Sequence, residues 1–208
     1  MTTPLSPGSA DALLFDLGRV VLDIDFSKAF ACWARYADCA PEKLVGRLSL
    51  GELNHRHERG EISDSQYFAG QCAAMGIALS DAQFLEGWNA IFAGEMPGIS
   101  EGLARAAKKL PLYAFSNTNN AHVEHFRVVH ADVLRHFRDI FLSSSIGLRK
   151  PDAEAYDHVV KEIGVPAERI VFFDDSADNI AGARARGLIG VHVRSPDDVA
   201  QALAALGI

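Results

Sequence analysis

Ile170-Val171-Phe172-Phe173-Asp174-Asp175-Ser176 is a short apolar run that ends abruptly in acids, and a helical pattern, Ala177–Arg186, comes directly after it. A run this short, rich in β-branched and aromatic residues, fits a strand buried on both faces. Similar runs lie at Ala12–Leu17, Leu112–Ser116, Ile140–Leu142 (continuing into Ser143-Ser144) and Ile189–Val193. Helical patterns at Ser100–Leu110, Asn120–His136 and Asp152–Ile163 separate the later ones. Such alternation predicts an α/β fold with a doubly wound parallel sheet. Ser195-Pro196-Asp197-Asp198 opens a last helix, with Ser as N-cap, Pro in the first position and acids in the first turn.

The spacing is uneven, because nearly a hundred residues separate the first run from the second. Between Asp25 and Pro97 no stretch reads as a strand. Helical patterns fill it instead, at Lys28–Tyr36, Pro41–Leu50, Ser63–Met75 and Ser80–Phe92. Ser63-x-x-Gln66 and Ser80-x-x-Gln83 are capping-box signatures. The expected organisation is a core of residues 10–24 and 97–208, with residues 25–96 as a helical insertion after the first strand. Pro97-Gly98 marks the return to the core.

The chain has 208 residues, and 20 Lys and Arg against 27 Asp and Glu give a formal charge of −7. With 49% hydrophobic residues it can bury a core large enough to offset the entropy of ordering. The acidic balance and the lack of any basic block beyond Lys108-Lys109 argue against nucleic acid as a partner. No apolar stretch approaches the ~20 residues that cross a bilayer. The opening MTTPLSPGSADALL lacks the pattern of a secretory signal and reads as a flexible leader. Cys32, Cys39 and Cys72 form no CxxC pair, which points to a reduced, cytoplasmic compartment and to cysteines used as small apolar fillers.

In open α/β sheets ligands bind at the carboxyl ends of the strands. Here those ends carry Asp16, then Ser116-Asn117, then Asp174-Asp175, while Lys150 sits in a Gly147–Pro151 segment before the next helix. Each alone has a bland reading: a helix cap, turn chemistry, a solvated lysine. Asp16 is harder to dismiss, because a carboxylate within an apolar stretch is costly unless a cation pairs with it. Adjacent acids suit a hard divalent cation, Mg²⁺ first among them. A metal with a lysine suits a phosphoryl group, and a free carboxylate beside them can form an acyl-phosphate.

The ordered set F-D-L-G, S-N-T, R-K-P and F-F-D-D-S-A-D-N resembles the haloacid dehalogenase superfamily of phosphohydrolases, from Ala12 to Val193. Asp23-Ile24-Asp25-Phe26 and His57–Ser63 are similar to the α-D-glucose-1-phosphate phosphatase type within it. The resemblance implies a Rossmann-like core with a small α-helical cap, and a Mg²⁺-dependent phosphomonoesterase. The expected substrate is a small phosphorylated metabolite, such as a sugar 1-phosphate. By position, Asp16 matches the nucleophile and a metal ligand, Ser116 the residue that binds the transferring phosphoryl group with Asn117 beside it, and Lys150 the lysine that neutralises both. Asp175 matches the metal ligand of the fourth strand, with Asp174 next to it. Gly18 matches a ligand through its carbonyl. Asn179 falls where many members carry a further acid. In the cap, His57 and Glu58 are expected to contact the substrate's sugar end.

One position departs from the pattern. Most phosphatases of the family carry a second Asp two residues after the nucleophile, where this chain has Gly18. Loss of a general acid forfeits ~10²–10⁴-fold in rate. Either the leaving group needs less help, or Asp23, Asp25, His57 or Glu58 substitutes, or turnover is lost. The same gap keeps two alternatives open: a metal-independent 2-haloacid dehalogenase, and a non-catalytic module that binds a metabolite or a protein. The adjacent acids argue against the dehalogenase, since a metal-free site would hold unpaired like charges. Among the remaining residues, Trp33 and Trp88 are expected in the insertion's core, and the His122-x-x-His125 pair on the surface.

Overall fold

The computed structural model describes residues 4–208. Its elements run β1 (Ala12–Phe15), β2 (Leu22–Ile24), α1 (Phe26–Tyr36), α2 (Glu52–Glu58), α3 (Asp64–Met75), α4 (Asp81–Asn89), β3 (Phe92–Glu95), α5 (Ile99–Ala106), β4 (Leu112–Ser116), α6 (Asn120–Val129), α7 (Ala131–Leu134), β5 (Asp139–Leu142), α8 (Ser143–Ile146), α9 (Ala153–Ile163), β6 (Ile170–Asp174), α10 (Ala177–Ala185), β7 (Ile189–His192) and α11 (Pro196–Ala205). A five-stranded sheet has the order β5-β4-β1-β6-β7, and each of its pairings is parallel.

The two-residue period of a strand sorts the apolar side chains. Leu13 and Phe15 point to one face with Ala114, Val171 and Phe173, covered by Leu103 of α5 and Leu203 of α11. Ala12 and Leu14 point to the other with Phe115, Ile170 and Phe172, covered by Tyr156 of α9 and Ile180 of α10. Burying each phenylalanine is worth roughly 1.5–3 kcal/mol, so the sheet needs no polar help until its strands end. β1 is central and buried throughout, which puts Asp16 at the middle of the carboxyl edge.

Helices α1, α3 and α4 build a separate apolar cluster around Trp33, Tyr67, Phe84 and Trp88. Trp33 stacks on Phe84 at 4.6 Å and donates its indole N–H to the Phe84 carbonyl at 2.9 Å. Gly87 makes this approach possible, because a Cβ there would lie 2.2 Å from Trp33 Nε1. Both predicted capping boxes are formed, Ser63 with Gln66 and Ser80 with Gln83.

Several expectations are corrected. Pro41–Leu50 forms only a 3₁₀ turn over Pro41–Lys43, and the left-handed Gly46 keeps the rest of that stretch from continuing as a helix. The pattern Ser80–Phe92 stops at Asn89, and Phe92 joins β3, which pairs antiparallel with β2. That strand lies inside a stretch read as strand-free. Ser143 and Ser144 open α8 instead of extending β5. The helix Asn120–His136 breaks at non-helical His130. Of the leader, Met1–Thr3 lie outside the described residues, while Leu5 packs on the core and Ala10 is buried. Cys32 and Cys72 are buried, Cys39 is half-buried, and all are unpaired. Among the described residues no helix is long and apolar enough to cross a membrane.

Candidate active site

The strand ends bring charge together in a nearly dry place. Lys150 is 1% exposed, and its Nζ donates to Asp174 Oδ2 at 2.6 Å and the Phe115 carbonyl at 2.8 Å and is ion-paired with Asp16 Oδ1 at 2.9 Å. Two carboxylates and a carbonyl thus surround the three N–H donors of the ammonium. The rings of Phe115 and Phe172 flank it at 5.2 and 5.3 Å. Asn117 fixes the lysine's backbone. Its Oδ1 accepts from the Lys150 N–H and its Nδ2 donates to the Lys150 carbonyl, both at 2.9 Å. Asn117 also lines the cavity beside the lysine.

Asp174 is fully buried and fully engaged. Oδ1 accepts from the Ser176 N–H at 2.8 Å, and the Asn179 amide spans both oxygens at 3.0 and 3.1 Å. The expectation of unpaired like charges thus fails for Asp174, which pairs with Lys150. Asp16, Asp174 and Asp175 each offer an oxygen within 4.8 Å of the others. Asp16 and Asp175 are the carboxylates with oxygen to spare, and their hard donors fit a hard divalent cation. The Asp175 carboxylate is ion-paired with Arg19 at 4.0 Å, and its backbone carbonyl meets His192 Nε2 at 3.0 Å.

Burial pushes the Asp16 carboxyl up to about 7, against the pull of Lys150 and with the repulsion of Asp174 and Asp175. Burial, then Asp174, raises Asp175 as well. Burial works against the Lys150 charge, but Asp16 and Asp174 outweigh it and the ammonium is held above its ordinary value. A cavity of about 120 Å³ opens on Asp16, Gly18, Ser116, Lys150 and Asn179, walled by Leu22, Phe92 and Phe126. The loop after β4 is pinned beside it, because the Ser143 hydroxyl bonds both the N–H and the carbonyl of Thr118.

The residues expected from the insertion do not line this cavity. His57 is buried, stacks on Tyr67 at 4.1 Å and bonds Asp64 through Nε2 at 2.6 Å. Helix α2 turns it inward, so it faces neither solvent nor ligand. Glu58 pairs with Arg149. Asp25 caps α1 through the Ser27 N–H, and Asp23 is exposed on β2. None of these acids stands ready to replace the one missing at Gly18. His122 is buried, not on the surface, between Trp88 and Asn119. Arg149 has no role in the sequence reading, and Phe92, expected in a helix of the insertion's core, instead walls the cavity from β3. The R-K-P motif contained the first, and Gly94 three residues before Pro97 was the only hint of a strand around the second.

A central-strand aspartate paired with a buried lysine beside a small polar cavity is the kind of site that an α/β hydrolase core presents at its strand ends. The sequence model described as haloacid dehalogenase-like hydrolase matches residues 11–187, and the chain belongs to that family. An HAD family enzyme of Bacteroides thetaiotaomicron, solved with magnesium and inorganic phosphate, shares the fold. Its TM-score is 0.77 at 22% identity, over 89% of this chain and 95% of that one. D-ribitol-5-phosphate phosphatase from the same organism is 22% identical over 173 residues, covering 81% of this chain and 84% of the relative. Drimenol cyclase of Aspergillus calidoustus is 27% identical over 198 residues, 92% of this chain, yet this chain spans only 35% of that relative's length.

Proposed function

We propose that the protein is a Mg²⁺-dependent phosphomonoesterase acting on a small phosphorylated metabolite, with residues 25–96 as a cap over the catalytic core. The observation that carries this reading is the Asp16–Lys150 pair, held at 2.9 Å at the floor of a cavity whose rim is Ser116. Asp16 attacks phosphorus through its carboxylate oxygen, and the bond to the leaving-group oxygen breaks. Water then cleaves the aspartyl-phosphate, which releases phosphate and regenerates the carboxylate. Ser116 holds a phosphoryl oxygen, and Lys150 balances the charge shared by nucleophile and phosphate. Asp16, the Gly18 carbonyl and Asp175 would hold the cation, next to an Asp174 committed to Lys150. When bound, the cation neutralises phosphoryl oxygens as charge builds on them.

The gap at Gly18 narrows the substrate class. No acid of the insertion lines the cavity, so the leaving group must depart with little protonation. A sugar 1-phosphate, whose anomeric oxygen leaves more readily than an ordinary alcohol, meets that need. The D-ribitol-5-phosphate phosphatase relative supports the wider class of polyol and sugar phosphates, and the 1-phosphate rests on the gap at Gly18 alone. The test is phosphate release from a panel of phosphomonoesters, sugar 1-phosphates included, with Mg²⁺ and with EDTA. Mg²⁺-dependent release, fastest for the 1-phosphates, is the expected result. Silence across the panel, or halide release from 2-haloacids in EDTA, would overturn it.

A further inference from the structure

Arg149 immediately precedes Lys150, and its guanidinium is turned away from solvent. Its Nε donates to Glu58 Oε2 at 2.9 Å, Nη2 is ion-paired with the same oxygen at 2.9 Å, and both side chains are 15% exposed. Glu58 closes helix α2, 91 residues earlier in the chain. Its other oxygen accepts from Asn54 Nδ2 at 2.9 Å, and Asn54 Oδ1 accepts from the Tyr67 hydroxyl at 3.0 Å. Tyr67 is wholly buried in the apolar cluster of the helical insertion. A continuous series of side-chain bonds therefore runs from the centre of that cluster to the residue beside the lysine. The backbones meet closely at the same place. A Cβ on Gly60 would lie 2.6 Å from the Ser144 carbonyl oxygen.

The Lys150 segment is thus gripped twice, by Asn117 from the sheet and by Glu58 from the insertion. A pair this sheltered is costly to break from one side, because the remaining charge is left without a partner. It forms whole or parts whole, with both groups returned to water.

We propose that Glu58 is a positioning residue: through Arg149 it joins the seating of the helical insertion to the placement of Lys150 against Asp16. This rests on the reading of Lys150 as the group that balances charge in phosphoryl transfer. It reassigns Glu58 from the sugar end of the substrate to the lysine segment. Removing the carboxylate then lets Arg149 and Lys150 drift together, and misplacement of a catalytic group reads mainly in turnover.

The experiment uses the full chain with Mg²⁺ and the best ester of the panel. Glu58→Gln and Arg149→Gln are each expected to lower kcat on the order of 10- to 100-fold, with KM nearly unchanged. The double variant is expected to be no worse than either single one. Arg149→Lys, which keeps charge but not the planar fork, is expected to recover part of the loss. Additive losses, or a rise in KM at constant kcat, would overturn the proposal, the latter because it marks a substrate contact. A second readout does not need turnover. In folded protein treated with an amine acetylating reagent, mass spectrometry reads the labelling rate of each lysine. Glu58→Gln should raise that of Lys150 on the order of tenfold while exposed Lys28 and Lys161 are unchanged. An unchanged Lys150 rate overturns the positioning role even if phosphatase activity is present. Absence of phosphate release from the parent protein with faster Lys150 labelling in the variant overturns the phosphatase reading alone.

Discussion

Lys150 Nζ lies 2.9 Å from Asp16 Oδ1, and yet burial still holds the Asp16 carboxyl up at about 7. The lysine is shared with Asp174, at 2.6 Å, so it cannot offset the desolvation of both acids. A carboxyl in this state is ready to ionise but costly to keep ionised. A divalent cation at Asp16 and Asp175 would relieve that cost.

Metal-free stability should therefore depend on pH. A carboxyl raised from 3.8 to about 7 gives the folded state the extra proton across that interval. Stability from this group is greatest below pH 4 and falls as pH rises to 7. At ~1.4 kcal/mol per unit, the loss is on the order of 4 kcal/mol. Mg²⁺ competes with that proton, so its stabilising effect should grow from pH 5 to pH 8. Thermal unfolding at each pH, with Mg²⁺ and with EDTA, measures it. A Mg²⁺ effect independent of pH would contradict the account.

Asp16→Asn separates activity from stability. Turnover is expected to fall at least on the order of 10⁴-fold, as for other lost nucleophiles. Metal-free stability at pH 8 is expected to rise, because the variant no longer holds a buried charge that Lys150 only half offsets. Phosphate release and urea unfolding of the same preparation test both, and retained turnover would remove Asp16 from its role.

The carboxyl rim was readable in the sequence because its causes are local. Apolar runs stop where the strands stop, and Asp16, Ser116 and Asp174 stand at those ends. The features that escaped depend on partners far along the chain. Phe92 sits in a helical pattern but is drawn into a strand by Ile24, its register partner. Helix α2 has no apolar stripe, and Asn54 and His57 hold it to Tyr67 by polar and stacking contacts. Glu58 was noticed as a polar residue near a site, but its partner Arg149 lay hidden beside the more conspicuous Lys150.

Gly18 has room for the acid it lacks. A Cβ there meets only Ile24 Cγ1, at 3.5 Å, and the position faces the cavity. Gly18→Asp should fold normally and supply a proton to poor leaving groups. Hydrolysis of simple alkyl phosphates is expected to rise about 10- to 100-fold, within the range of a general acid. Aryl phosphates, whose phenolate leaves unaided, should change little. The ratio of the two rates is the measurement, and an unchanged ratio would mean that protonation at this position does not limit turnover.

His122 makes the contact between α6 and α4 sensitive to acid. Its Nε2–H donates to the Trp88 carbonyl at 3.0 Å, and its ring stacks on the Trp88 indole at 4.4 Å. Nδ1 faces the Asn119 amide at 3.2 Å, while Asn119 Oδ1 is taken by the His122 N–H. A proton on Nδ1 would set donor against donor. Burial accordingly drives the imidazole down to about 3. An unfolded histidine takes its proton near 6.5, so stability from His122 is complete above that value and is lost as pH falls toward 3. At pH 4.5, about two units below that value, the loss is about 3 kcal/mol. His122→Phe keeps the stacking and removes the titration. At pH 7.5 the variant should be less stable by ~1–2 kcal/mol, for the hydrogen bonds it gives up. At pH 4.5 that deficit should close or reverse. Urea unfolding monitored by tryptophan fluorescence, with Trp88 stacked on residue 122 as the reporter, gives both values. A deficit equal at the two pH values would mean that His122 does not set the acid sensitivity of this contact.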